Sequence, residues 1–130
     1  MILLDTNVLI EFYKNNPGIV RSLRDAGQEN LAISVITQAE LYFGARDKNE
    51  LQSLRQHLAL LSHYPIDSSV SGRFIELMET FVLSHKLSIP DGLIAATALV
   101  HDLELFTLNI RDFRYIPALR LFPPISDASP

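Results

Sequence analysis

The chain contains no cysteine, which rules out disulfides and thiolate metal sites. A metal would have to be held by oxygen or imidazole. The four histidines, His57, His63, His85 and His101, are scattered without the paired spacing of a ligand set, and on their polar or mixed stretches they are expected to be solvated. No apolar run approaches the roughly 18–20 residues of a membrane span, and no basic-then-apolar leader precedes Asp5. A cytoplasmic location without membrane contact is the expectation. Repeats, linkers and low-complexity tracts are also lacking, apart from a polar tail at 124–130 that ends in SDASP. Positive charge is in short supply, with 11 Lys and Arg against 15 Asp and Glu and a formal net charge of −4. Dedicated nucleic-acid binders usually present a basic surface. An enzyme that gathers acids around a metal can nevertheless be acidic overall and hold phosphates through that metal.

What is present is 130 residues, 48% of them hydrophobic, enough for one domain with a sizeable core. MILL at the start is short and wholly apolar, like a strand buried on both faces. Helical spacing follows through NVLIEFYK and IVRSLRDAG, with NNPG between them. LAIS reads as a second buried strand. VITQAELYFGA returns to helix, with Val35, Ala39 and Phe43 on one stripe and Ile36, Glu40 and Gly44 on the next. The segment from Asn49 to Tyr64 predicts a longer amphipathic helix with Leu51, Leu54, Leu58 and Leu61 on one side, and PID after it begins or contains a third strand.

SSVSGRFIELMETFVLSHK is helical, with Val70, Phe74, Leu77 and Phe81 as its apolar stripe. IPDGLIAATALVHD is a helix of small residues that should pack closely on a neighbour. ELFTLN is another strand, IRDF a turn of helix and LRLFPP an edge strand. Strands alternating with helices predict one α/β domain at 1–123, a three-layer α/β/α sandwich with a central, mainly parallel sheet of four to five strands. Right-handed crossovers put the C-terminal ends of parallel strands on one edge.

Acidic residues fall on that edge. Asp5 ends the first strand, Glu40 lies in the helix after LAIS, Asp91 starts the helix after SIP, and Asn109 and Asp112 follow ELFTL. Each alone has a plain explanation. Asp5 can cap the first helix, Thr37-Gln-Ala-Glu40 and Ser88-Ile-Pro-Asp91 match capping boxes, and Asn109 can cap the turn holding Asp112. Together they are harder to explain, because carboxylates gathered on one edge repel by roughly 1–4 kcal/mol per close pair. A divalent cation relieves that repulsion, and oxygen ligands favour magnesium, or manganese in its place. The matching reaction is hydrolysis of a phosphodiester by a metal-activated water.

LLDTNVLIE, SVITQAELYFG, IPDGLIAATAL and LFTLNIRDF, in that order, resemble the successive motifs of PIN-domain ribonucleases, especially VapC-type toxins of bacterial toxin–antitoxin pairs. The likeness runs from Ile2 to about Pro123. It implies a metal-dependent endoribonuclease acting on RNA, usually a homodimer, inhibited by a cognate antitoxin protein. It implies that Asp5 and Asp91 bind magnesium, that Glu40 binds metal or orients the water, and that Thr6 and Asn7 steady Asp5. Many relatives have an acid where this chain has Asn109, so the fourth place lies between Asn109 and Asp112. Two other functions fit the composition. One is a phosphoryl-transfer α/β module, which would want a lysine that ELFTLN lacks. The other is a non-catalytic protein-binding domain whose acids are only helix caps. Tyr42 and Phe43 read as core or dimer contacts. Arg46, Arg111 and Arg114 are candidates for RNA phosphates.

Overall fold

In the computed structural model, residues 1–123 are described; the polar tail at 124–130 lies outside them. Five strands form one sheet in the order β3-β2-β1-β4-β5, with every neighbouring pair parallel. They are β1 (Ile2–Leu4), β2 (Leu31–Ser34), β3 (Ser62–Tyr64), β4 (Glu104–Phe106) and β5 (Leu121–Phe122). Six helices connect them: α1 (Thr6–Tyr13), α2 (Pro17–Ala26), α3 (Val35–Phe43), α4 (Lys48–Leu58), α5 (Ser68–His85) and α6 (Ile89–Val100). This is the expected three-layer α/β sandwich, with the sheet wholly parallel. No helix among the described residues is long and apolar enough to cross a membrane.

The period-two geometry of β1 divides the core. Ile2 and Leu4 pack with Val8, Leu9, Ile19 and Leu58 on one face. Leu3 points the other way, into Leu77, Ile94, Leu105 and Phe113. Leu3, Leu4 and Leu105 are fully buried, so truncating any of them to alanine should cost about 2–5 kcal/mol. On the second face α5 and α6 approach closely. A Cβ on Gly92 would stand 3.0 Å from the Phe74 ring, so the small residues of α6 serve the packing expected of them.

Local chemistry starts most helices where polar residues precede apolar spacing. Asn16 caps α2 ahead of Pro17, Asp47 accepts from the Glu50 amide at 2.8 Å, and Asp67 accepts from the Val70 amide at 2.8 Å. The third strand is SHY at 62–64, before PID rather than in it. Pro65 has no N–H for a ladder and Asp67 is taken by its cap, so PID serves as the lead-in to α5. By the same token α4 ends at Leu58, and Leu61 is buried from the connection beyond it.

Helix α3 also differs from its apolar pattern. Val35 is 42% and Phe43 92% exposed, whereas Thr37 and Leu41 are buried. Its cap is Ser34, whose hydroxyl accepts from the Thr37 amide at 3.3 Å, so Thr37 sits inside the first turn and is not the cap. Tyr42 packs partly against the core while Phe43 stands in solvent. The histidines are likewise not uniformly solvated. His57 is partly buried and paired through Nδ1 with the Tyr13 hydroxyl at 2.7 Å. Burial pushes the His57 pKa down and that of Tyr13 up to about 12.

Candidate active site

Asp5 follows β1 and is only 5% exposed. Its two carboxylate oxygens are fixed separately: Oδ1 accepts from the Thr6 amide at 2.8 Å, capping α1, and Oδ2 accepts from the Thr107 hydroxyl at 2.7 Å. Thr107 follows β4 and its oxygen accepts in turn from the Asn109 amide at 3.0 Å. Thus the ends of the two central strands are tied by one buried carboxylate. Asn7 adds a second tie, its Oδ1 accepting from the Leu108 amide at 3.3 Å. From α3, Glu40 Oε1 accepts from the Thr6 hydroxyl at 2.8 Å, and Thr37 Oγ1 lies 3.1 Å from the same hydroxyl.

Asp91 enters from the first turn of α6. Ser88 is the cap, accepting from the Asp91 amide at 3.2 Å. The Asp91 carboxyl is therefore not needed to start the helix. Burial, then the charge of Asp5, and further the charges of Asp112 and Glu40, push its pKa up to about 6, against a lowering contribution from Ser88. The Asp5 pKa is also raised, by burial first and by Glu40 and Asp112, although the hydrogen bonds from Thr107 and Thr6 pull it down. Four carboxylates from four separate elements thus act on one another, as the edge of a parallel sheet allows. Capping accounts for Asp5 alone.

Asn109 and Asp112 separate clearly. Asp112, at the end of a short 3-10 turn (Ile110–Asp112), acts on both Asp5 and Asp91 and lines the same cleft as Asp91. Asn109 contributes through its backbone N–H to Thr107. Among the described residues no set of three or more acidic or histidine side chains forms a ready metal-ligand shell.

The PIN domain family matches residues 2–119. Ribonuclease VapC10 of Mycobacterium tuberculosis is 35% identical over 128 residues, which cover 97% of this chain and 94% of that protein. The chain belongs to the PIN-domain family, in its VapC branch. Solved VapC-type structures have the same fold. A toxin–antitoxin complex from Klebsiella pneumoniae superposes with a TM-score of 0.79 at 34% identity, covering 92% of this chain and 95% of that one. DNA-bound VapBC from Salmonella typhimurium gives a TM-score of 0.82 at 26% identity, covering 92% and 95%.

In this PIN domain the sequence motifs brought Asp5, Thr6, Asn7, Glu40, Asp91 and Asp112 to one sheet edge, but they did not single out Thr107 or Thr37. A threonine closing an otherwise apolar strand reads as an ordinary β-former. Its one signal is position, since Thr107 directly follows β4, beside the strand that Asp5 directly follows.

Proposed function

We propose that the chain is a magnesium-dependent endoribonuclease that hydrolyses RNA phosphodiester bonds, the toxin of a pair held in check by a cognate antitoxin in the cytoplasm. The observation that carries this reading is the convergence of Asp5, Glu40, Asp91 and Asp112 from β1, α3, α6 and the turn after β4, where helix capping explains only one of them. The family's named ribonucleases and antitoxin complexes support it.

The donor set suits a hard cation. Asp5 and Asp91 are oxygen donors, each with its pKa raised, and no thiolate competes. Magnesium needs only one or two protein carboxylates, the rest of its shell being water and substrate oxygens. Magnesium, or manganese in its place, supplies a Lewis acid and an acidified water when bound by Asp5 and Asp91. Thr107 and the Thr6 amide hold Asp5 in orientation. Glu40, held by the Thr6 hydroxyl, would orient the attacking water and take its proton. Water adds to phosphorus, the bond from phosphorus to the ribose oxygen breaks, and that oxygen leaves with the bonding pair and takes a proton from solvent.

A homodimer with a bound antitoxin suits the surface. Phe43 and Leu83 are each 92% exposed and are the side chains we expect such partners to cover.

The decisive test is Asp91→Asn. Cleavage of total RNA should be abolished, while thermal unfolding in EDTA shows an intact fold, equal or slightly raised in stability because one crowded charge is gone. Full activity in this variant would remove Asp91 from the site.

A further inference from the structure

Beside the acid cluster lies a cleft of about 370 Å³ whose lining includes His85, Lys86, Ser88, Asp91, Arg111 and Tyr115. We propose that this cleft is a nucleotide subsite, in which one unpaired base next to the scissile phosphate stacks on the open face of His85 while Lys86 and Arg111 meet the flanking phosphates. The proposal deepens the ribonuclease reading and rests on it.

The aromatic platform is already assembled. The His85 and Tyr115 rings stack with centroids 3.9 Å apart and planes 12° from parallel. Phe81 braces Tyr115 edge-on at 5.0 Å, and the Ser84 hydroxyl sits 2.8 Å from His85 Nδ1. Tyr115 and Phe81 pack against the core, whereas His85 is exposed. The imidazole therefore has one face covered, a fixed plane and one face turned to water. Aromatic faces of this kind bind single-stranded bases by stacking, with little sequence preference.

The charges alternate as a nucleotide would require. Lys86 closes α5 in the left-handed region at φ 54, a position usually given to glycine. A lysine held there, on the rim of the cleft, is strain kept at a useful place. Among the described residues neither Lys86 nor Arg111 takes part in an ion pair. Asp91 belongs to both the cleft and the acid cluster, so a base on His85 leaves its phosphate toward the reacting centre. A peptide anchor would want an apolar lining, and here only Leu87 is aliphatic.

The test pairs His85→Ala and His85→Phe with a single-stranded RNA cut at one place. In His85→Ala the KM should rise about tenfold or more with kcat changed less than about twofold, and His85→Phe should restore the KM. An RNA made abasic at one position beside the cut should carry the same KM rise with the unaltered protein and no further rise with His85→Ala. Independently of turnover, magnesium-loaded protein is titrated with uridine 5′-monophosphate and with ribose 5-phosphate while the His85 ring proton is followed by NMR. The nucleotide should shift that proton and the sugar phosphate should not. An unchanged KM in His85→Ala, or abasic penalties that simply add, overturns the subsite, as does a weakened grip on antitoxin with nucleotide binding untouched. If the protein cuts no RNA yet the nucleotide shifts the ring, the ribonuclease reading fails and the base subsite stands.

Discussion

Asp5 and Asp91 belong to two halves of one site that are built in opposite ways. The Asp5 half is closed: the carboxylate is buried, both of its oxygens are hydrogen-bonded, and Thr6, Thr107 and Glu40 are linked to it in one network. The Asp91 half is open: the carboxylate is partly exposed, its helix is capped by Ser88, and it borders a cleft rimmed by Lys86, Arg111 and His85. The closed half is attached to the centre of the sheet and can hold a position. The open half has the more exposed carboxylate and the room to receive a ligand. Preorganisation and access are thus assigned to different elements, β1 with β4 for the first and α6 with the end of α5 for the second.

Breaking the closed half should have the largest effect on stability. Thr107→Val keeps the shape of the side chain but leaves Asp5 Oδ2 buried without its donor, and the Asn109 amide without its acceptor. Stability should fall by about 1–3 kcal/mol in urea unfolding, and RNA cleavage by about 10–100-fold, with Thr107→Ser recovering most of both. Unchanged activity in Thr107→Val would mean that Asp5 is held by other means.

Acidification should act chiefly on the open half. Asp91 has a folded-state pKa raised to about 6 from 3.8. Between these values the native state binds more protons than the unfolded chain, so metal-free stability should fall as pH rises from about 4 to about 6. Metal binding should have the opposite sign, with affinity weakening up to about tenfold per unit as pH drops below about 6. Unfolding in EDTA against unfolding in saturating magnesium, from pH 5 to 7, separates the two signs. Asp91→Asn should flatten both profiles. Because the lowered pKa of His57 acts with the opposite sign in this window, the comparison is with Asp91→Asn, and a metal-free pH profile that this variant leaves unchanged would contradict the crowding of Asp91.

The smallest effect is expected at Asn109, on the seam between the halves. Asn109→Asp adds a carboxylate at an exposed position. Affinity for a second cation should rise a few-fold in manganese calorimetry, and metal-free stability should fall by less than about 1 kcal/mol. If neither moves, the Asn109 side chain lies outside the cluster and Asp112 alone fills the fourth place.

The two halves were unequally legible in the sequence. Asp5 stood out because an apolar run stops on a carboxylate, and Asp91 because Ser88-Ile-Pro-Asp91 spells a helix start. Both signals are local. Thr107 and Thr37 matter through bonds to residues 102 and 31 positions away, and no local pattern marks such partners. Apolar periodicity located α3 but not its inward face, for a related reason. It put Val35, Ala39 and Phe43 on one stripe, although the helix turns Thr37 inward to reach the Thr6 hydroxyl. The third strand escaped because SHY is half exposed at the edge of the sheet and carries no apolar run.

The strand order has a consequence in time. The ribosome makes β1 first, yet it lies in the middle of the sheet between β2 and β4. A nascent chain therefore carries Asp5 with one flank of its strand bare until β4 has been made. Its bond to Thr107 closes across 102 residues, a slow, long-range contact. Asp5 gains its second hydrogen-bond donor only once residue 107 has been made, so this site is among the last features the fold can complete.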